Sequence, residues 1–420
     1  MIVRLIVSLL LILLSLWGCY RALCDGLAGT IARYAPETEF LQTAIELSPN
    51  NPKLHYLLGQ AYLYDPDNIN PRQALALLIR ATELSPNDYQ LWLVRAQAEE
   101  RVNELAAAET SLREAVKQAP NYLEPHWQLA NLLIRAGKMT AALPELRQAL
   151  TTNSQQLPYA LELIWQLSDA DLRLTESILP ANPTAEMEYL RLLLRKTRYR
   201  DAASYWQQLP MTVRNANSVM ARQLIEALIV AADYDLAFDI WRVLPEYQGL
   251  ELPKGKIHNG DFKQPLEQRG AGFEWQFDNT STLAKLSVDT TASQPNGYSL
   301  SIDYTAEGNP TFDHIRQIVI VEPGHQYRLR YFARSKELVG GALPVVEITD
   351  AAGRAPLMVG SQPAILGSVD WRQFEVSFKV EAPTRALLIA IRRHAQCVVE
   401  GPCPIFGRVW FANFVLEEVR

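Results

Sequence analysis

The sequence predicts an α-then-β multidomain chain: an N-terminal membrane helix, an α-solenoid of helical repeats and a C-terminal antiparallel β-sandwich. Three observations predict this. The chain opens on an apolar run, a short motif recurs through the first half at spacings of 37 and 34 residues, and after residue 250 the hydrophobic period changes to two. At 420 residues the chain also exceeds what one ordinary core holds.

The opening stretch MIVRLIVSLLLILLSLWGCYRALCDG carries Arg4 and then only apolar or small residues from Leu5 to Tyr20. That run sits at the short end of a membrane span and lengthens if Arg4 and Arg21 snorkel. No A-x-A cleavage site follows, so residues 1–24 are expected to be a single-pass signal anchor. Two other readings stay open. Leu16-Trp17-Gly18-Cys19 resembles a lipobox, with a bulky Trp17 where a small residue is usual, which would make Cys19 a lipid attachment point. A buried soluble helix is the third. Arg4 and the α-amino group favour the cytoplasmic side, which places the body outside an inner membrane, in the periplasm.

Residues 1–254 carry 23 basic and 28 acidic side chains, and residues 255–420 carry 17 and 18. Neither part is basic, so a nucleic-acid partner is not expected.

The string ELSPN occurs at Glu46–Asn50 and again at Glu83–Asn87, with QAPN at Gln118–Asn121. Within each period small residues recur between larger ones. His55, Leu58, Gly59, Tyr62, Ala74, Leu78 and Ala81 form the first unit, and Trp92, Ala96, Ala108, Leu112 and Ala115 the second. His126, Leu129, Ala130, Ala142, Leu146 and Ala149 form the third. Small residues let paired helices approach, and the larger ones fill the space around them. Over residues 37–154 this pattern resembles the tetratricopeptide repeat family, a helix–turn–helix unit. YRDAASYWQQLP (199–210) and YDLAFDIWRVLP (234–245) continue it in weaker form, and residues 155–181 are expected to hold another degenerate pair, so the solenoid is read as residues 37–247. The resemblance implies a groove for a peptide or partner helix. His55 and His126 share one helix position and are read as packing residues.

After EYQGLELPKGK the alternation of a sheet takes over. YSLSIDY, IRQIVIV, HQYRLRYFARS, PVVEITD, WRQFEVSFKV, RALLIAIRR and VWFANFVLEEV read as strands, and Asn259-Gly260-Asp261-Phe262 as the opening strand of the domain, taken as 255–420. Such spacing predicts a sandwich or jelly roll. NGDF, a Trp shortly after it, GYSLSID, QIVIVEPGHQYRLRYFARS and the W..FEVSF strand resemble the jelly-roll carbohydrate-binding modules of xylanases and cellulases. That resemblance implies glycan binding and a structural calcium. Members carry Glu after NGDF and an acidic residue in the last strand. Here Lys263 and Ala412 stand in those places. An ammonium among calcium ligands opposes binding, so no metal or other cofactor is expected, with Asp261 and Asn413 the remaining candidates.

Alternation also names a candidate ligand surface. Arg316, Arg330 and Arg392, with His394, would form a basic strip for carboxylates of an anionic polysaccharide if they shared one sheet. The bland alternative is a solvated face paired with Glu347, Asp303 and Glu375. Trp275, Phe312, Trp371 and Trp410 are the aromatics available to stack on sugar rings, each competing with a core role, Trp371 most of all because its strand alternates inward. Cys397 and Cys403 bracket a five-residue turn, and in an exported protein they are expected to form a structural disulfide. No paired carboxylates, nucleophile with base or metal motif can be picked out, so no catalytic residue is expected. The expected function is a membrane-tethered scaffold in exopolysaccharide or O-antigen assembly or export. It would hold a protein partner in the repeats and a polysaccharide on the sandwich. A sandwich that only caps the solenoid, or an accessory module of a carbohydrate-active enzyme, are the alternatives.

Overall fold

The computed structural model describes residues 2–35, 37–266, 272–277, 284–291, 297–306, 312–353, 357–394 and 403–419. The chain divides into two compact units, Met1–Leu192 and Leu193–Arg420.

The first unit is helical: α1 (Ile2–Tyr34), α2 (Thr38–Leu47), α3 (Pro52–Tyr64), α4 (Pro71–Leu84), α5 (Tyr89–Arg101), α6 (Leu105–Gln118), α7 (Leu123–Arg135), α8 (Met139–Thr152), α9 (Leu157–Leu167), α10 (Leu172–Ser177) and most of α11 (Pro183–Arg195). Starts are set locally. Asn51, Asn70 and Asp88 accept backbone N–H groups of the first turn, and Pro52 and Pro71 stand where no N–H is needed. The pairs α3–α4, α5–α6 and α7–α8 close over Leu78, Leu112 and Leu146, none of which is exposed. Gly59 permits the tightest approach: a Cβ there would lie 2.8 Å from Leu78 Cγ.

A hydrogen bond recurs with the repeat. The ring N–H of His55, Trp92 and His126 bonds the carbonyl of Pro49, Pro86 and Pro120, six residues back, at 2.8, 2.7 and 2.9 Å. Each satisfies a loop carbonyl that no helix ladder reaches. Both histidines are buried, so their work is structural.

Helix α1 has two parts. From Val7 to Trp17 its apolar side chains stand exposed, whereas Ala28, with Ile31 and Ala32, packs on Ala44 and Leu54 and so joins the first repeat. The segment Val7–Tyr34 is long and apolar enough to cross a membrane, as an anchor or a signal sequence does.

The second unit begins with α12 (Tyr199–Gln208), α13 (Met211–Ala216), α14 (Ser218–Val230) and α15 (Tyr234–Trp241). Ten strands follow among the described residues: β1 (Gln276–Phe277), β2 (Ala284–Asp289), β3 (Ser299–Ala306), β4 (Phe312–Ile320), β5 (Gln326–Gly340), β6 (Val345–Asp350), β7 (Met358–Gly360), β8 (Gly367–Lys379), β9 (Ala386–Arg393) and β10 (Ile405–Val419). They pair antiparallel in two sheets, a first in the order β1-β4-β9-β6-β7 and a second in the order β2-β3-β10-β5-β8. Their facing sides share one core that includes Leu300, Ile302, Tyr331, Ile389, Ile391 and Phe411. Burial pushes the Tyr331 phenol up to about 12 and raises that of Tyr304 further.

The segment Asn259–Phe262 is a turn and not a strand. Asn259 and Phe262 have φ of 51° and 55°, and Asn259 closes the loop through two 2.9 Å bonds to the Gln264 backbone. The turn drives Phe262 into the core against Trp275 and Phe414, while Trp275 Nε1 donates to the Asn259 carbonyl. Gly260 donates no side chain because none fits: a Cβ would lie 2.2 Å from the Phe414 carbonyl oxygen.

Helices α14 and α15 lie against the sandwich within this unit. Phe238 meets Phe273 edge-on at 5.3 Å, and Trp241 touches Phe273 and His258 at 5.5 and 5.4 Å. A Cβ on Gly272 would meet Ile229 of α14 at 3.0 Å and Ile318 of β4 at 3.3 Å.

Candidate functional site

The outer side of the second sheet follows from alternation. On β5, Tyr327, Leu329, Tyr331 and Ala333 point inward, which leaves Arg328, Arg330, Phe332 and Arg334 outside. On β10, Val409 and Phe411 are core, so Arg408, Trp410 and Ala412 face out. Register sets Trp410 between Ser301 and Arg334, and Ala412 beside Phe332. Trp410 is only 5% exposed although it faces outward. The guanidinium groups of Arg334 and Arg408 cover its ring at 5.2 and 5.6 Å, and its Nε1 donates to Asp289 Oδ2 at 2.8 Å.

Next to it a register shift between Ala412 and Val415 interrupts the pairing of β10 with β5. Asn413 takes a φ of 53° there. A depression at this point has a volume of ≈ 640 Å³ and is lined by Asp261, Arg330, Phe332, Gln373 and Asn413, among others. Amide, carboxylate and guanidinium groups around an aromatic ring offer both hydrogen bonds and an apolar contact, the mixture that holds a polyhydroxylated ring. The cations are largely compensated: Arg330 pairs with Glu417 at 2.5 Å, Arg328 with Glu375 at 3.1 Å, and Arg408 with Asp303.

The three arginines expected to form one strip do not share a sheet. Arg330 lies on β5 of the second sheet, whereas Arg316 on β4 and Arg392 on β9 belong to the first. Arg316 is exposed. Arg392 Nη1 lies 3.1 Å from Glu347 Oε2, and His394 bonds the other oxygen of the same carboxylate. Trp275 is 1% exposed and packs in the core. Phe312 lies on β4 with its side chain outside the described part, and Trp371 is half-buried on the edge strand β8, away from the core cluster. Cys403 is disulfide-bonded, and its carbonyl accepts from the buried Arg393 at 2.6 Å; Cys397 lies outside the described residues. Sequence reasoning missed Phe332, Gln373 and Asp289. Phe332 carried a readable signal, an aromatic residue in phase with Arg330 and Arg334 on a polar face.

The calcium set of the resembled family does not fit here. Lys263 Nζ lies 2.9 Å from Asp261 Oδ2, so the remaining carboxylate is held by an ammonium, and this contact raises the Lys263 pKa. Among the described residues no cluster of three or more His, Cys, Asp or Glu side chains could hold a metal ion.

Residues 67–123 match the model of the tetratricopeptide repeat family. That segment contains α4, the α5–α6 pair and the start of α7. No curated protein sequence matches the chain. Among solved structures, one titled as the crystal structure of MamA is 16% identical over 34% of this chain and 84% of its own, with a TM-score of 0.30. One titled CBM4 structure and function is 17% identical over 39% of this chain and 99% of its own, with a TM-score of 0.27. A bacteriophage tailspike enzymatically active domain is 14% identical over 39% of this chain and 21% of its own, with a TM-score of 0.29. Over residues 67–123 the repeat-family match implies a protein-interaction scaffold.

Proposed function

We propose that this chain is a non-catalytic, membrane-tethered adaptor whose repeats hold a partner protein and whose sandwich binds a glycan. Residues 37–247 are read as the helical array and 255–420 as the sandwich. The observation that carries the glycan reading is the open outer side of the second sheet, with its depression of ≈ 640 Å³ around Phe332, Arg330, Gln373 and Asn413. Ion pairing of Arg328, Arg330 and Arg408 favours hydroxyl groups over carboxylates as the recognised feature. The apolar segment Val7–Tyr34 supports tethering, with the body on the periplasmic side of an inner membrane. Handling of exopolysaccharide or O-antigen chains during assembly or export is the setting in which these three properties combine.

The capping alternative has an observation of its own. Phe238 and Trp241 close on Phe273 and His258, so the sandwich covers the last helices. Capping and glycan binding are compatible, because the helices approach at β4 of the first sheet and the depression lies on the second.

The test is affinity electrophoresis of the full chain in detergent through gels containing neutral or acidic bacterial polysaccharides. Retardation in at least one gel is expected, and Phe332→Ala should weaken it by ~0.5–1.5 kcal/mol, the usual worth of an aromatic contact. Equal mobility in every gel would remove the glycan half of the proposal and leave the cap.

A further inference from the structure

Helix α1 has 33 residues, a length of roughly 50 Å, whereas the hydrocarbon core of a bilayer is ~30 Å thick. Its last turns, where Ala28, Ile31 and Ala32 pack on the first repeat, cannot also lie in lipid. A span that ends near Arg21 fills the core and leaves residues 22–34 outside it. In that outer stretch Leu23, Leu27 and Tyr34 lie outside the repeat contact and are 73%, 54% and 78% exposed. Apolar side chains of this size, left in water along one helix, mark an unfilled interface.

The spacing of these residues defines the partner. Tyr20, Leu23, Leu27, Thr30 and Tyr34 stand three and four residues apart in alternation, and the series runs back through Leu16 and Leu13. A period of ~3.5 residues is the one that two helices follow by winding left-handed round each other. The stripe lies roughly a third of a turn round the helix from the repeat-facing side, so one neighbour can reach it without displacing the repeat. Arg21, Asp25 and Arg33 fall off the stripe, and the Thr30 hydroxyl donates to the Gly26 carbonyl at 2.8 Å, so the stripe carries no charge. Copies anchored in one membrane enter it in the same direction, which sets two such stripes parallel and in register, each residue against its own counterpart. The exposed area of Leu13, Leu16, Tyr20, Leu23, Leu27 and Tyr34 approaches the ~800 Å² per partner of a standard interface.

We propose that α1 pairs with α1 of a second copy as a parallel two-stranded coiled coil, which begins in the membrane and continues beside the first repeat. The inference rests on the reading of α1 as a retained anchor and does not depend on glycan binding. Pairing gives each assembly two repeat arrays and two sandwiches, so that a long partner or polymer is held at two points.

The test is copper-phenanthroline oxidation of the full chain in its membranes, with light scattering of the detergent-solubilised protein beside it. In a Cys19→Ser background, Leu23→Cys should give a disulfide-linked dimer on non-reducing gels. Gly29→Cys in the same background should not, because it lies off the stripe, where an added side chain meets nothing within 4 Å. The unaltered protein should scatter as two chains, and Leu23→Glu with Leu27→Glu as one, with circular dichroism unchanged, because like charges then face each other across the seam. Cross-linking equal at residues 23 and 29, a two-chain mass kept by the glutamate variant, or a one-chain mass for a protein that retains residues 1–34 would overturn the pairing alone. N-terminal sequencing that found residues 1–34 removed would overturn the tether and the pairing together.

Discussion

A Cβ on residue 260 would overlap the Phe414 carbonyl oxygen, a backbone atom that cannot move without distorting the β10 bulge. Gly260→Ala is therefore expected to destabilise the sandwich by ~2 kcal/mol or more, measured as a fall in the unfolding midpoint. Gly59→Ala meets the Leu78 side chain and not backbone, so its expected cost is smaller, ~1–2 kcal/mol. His258 provides a pH signature at the same scale. Burial lowers its folded pKa, so the unfolded chain binds more protons between that value and the ordinary value near ~6.5. Stability should fall as pH drops below ~6.5 and recover above it, and His258→Gln should flatten that slope in urea titrations between pH 7 and 5.

At the scale of elements, the repeat helices were the most legible part of the sequence. Pro49, Pro86 and Pro120 marked the turns, and the residues between them repeated in size. The reason for a histidine, a tryptophan and a histidine at one position was not legible, because it lies in a bond to a loop carbonyl. Trp92→Phe keeps an aromatic side chain and removes that bond, and should cost ~0.5–1.5 kcal/mol in thermal unfolding. The seven strands that alternate cleanly all form, whereas β2 and the short β1 and β7 escaped notice. AKLSVD interleaves Lys and Ser with only three apolar residues, and strands of two or three residues carry no period at all. The NGDF turn was misread for another reason. Its Phe262 is core, as in a strand, but it reaches the core through positive φ at Asn259 and Phe262. The arginine strip failed because alternation assigns a side of a strand and says nothing about which of two sheets that strand joins.

At the scale of the whole molecule, the second compact unit starts at Leu193 and includes the last helices together with the sandwich. Trp241, 1% exposed, is central to their contact, and Trp241→Ala is expected to cost ~3–5 kcal/mol and to lower helical and sheet signals together. In the sandwich one sheet is engaged by helices, and the other carries the surface proposed to hold a glycan. Hydrogen–deuterium exchange of the full chain with and without a glycan it retains tests this most directly. Slowed exchange is expected at residues 330–334, 373 and 412–415 of the second sheet, with none at 386–392 of the first. Protection confined to 386–392, or unchanged exchange over the whole sandwich while the glycan is bound, would contradict it.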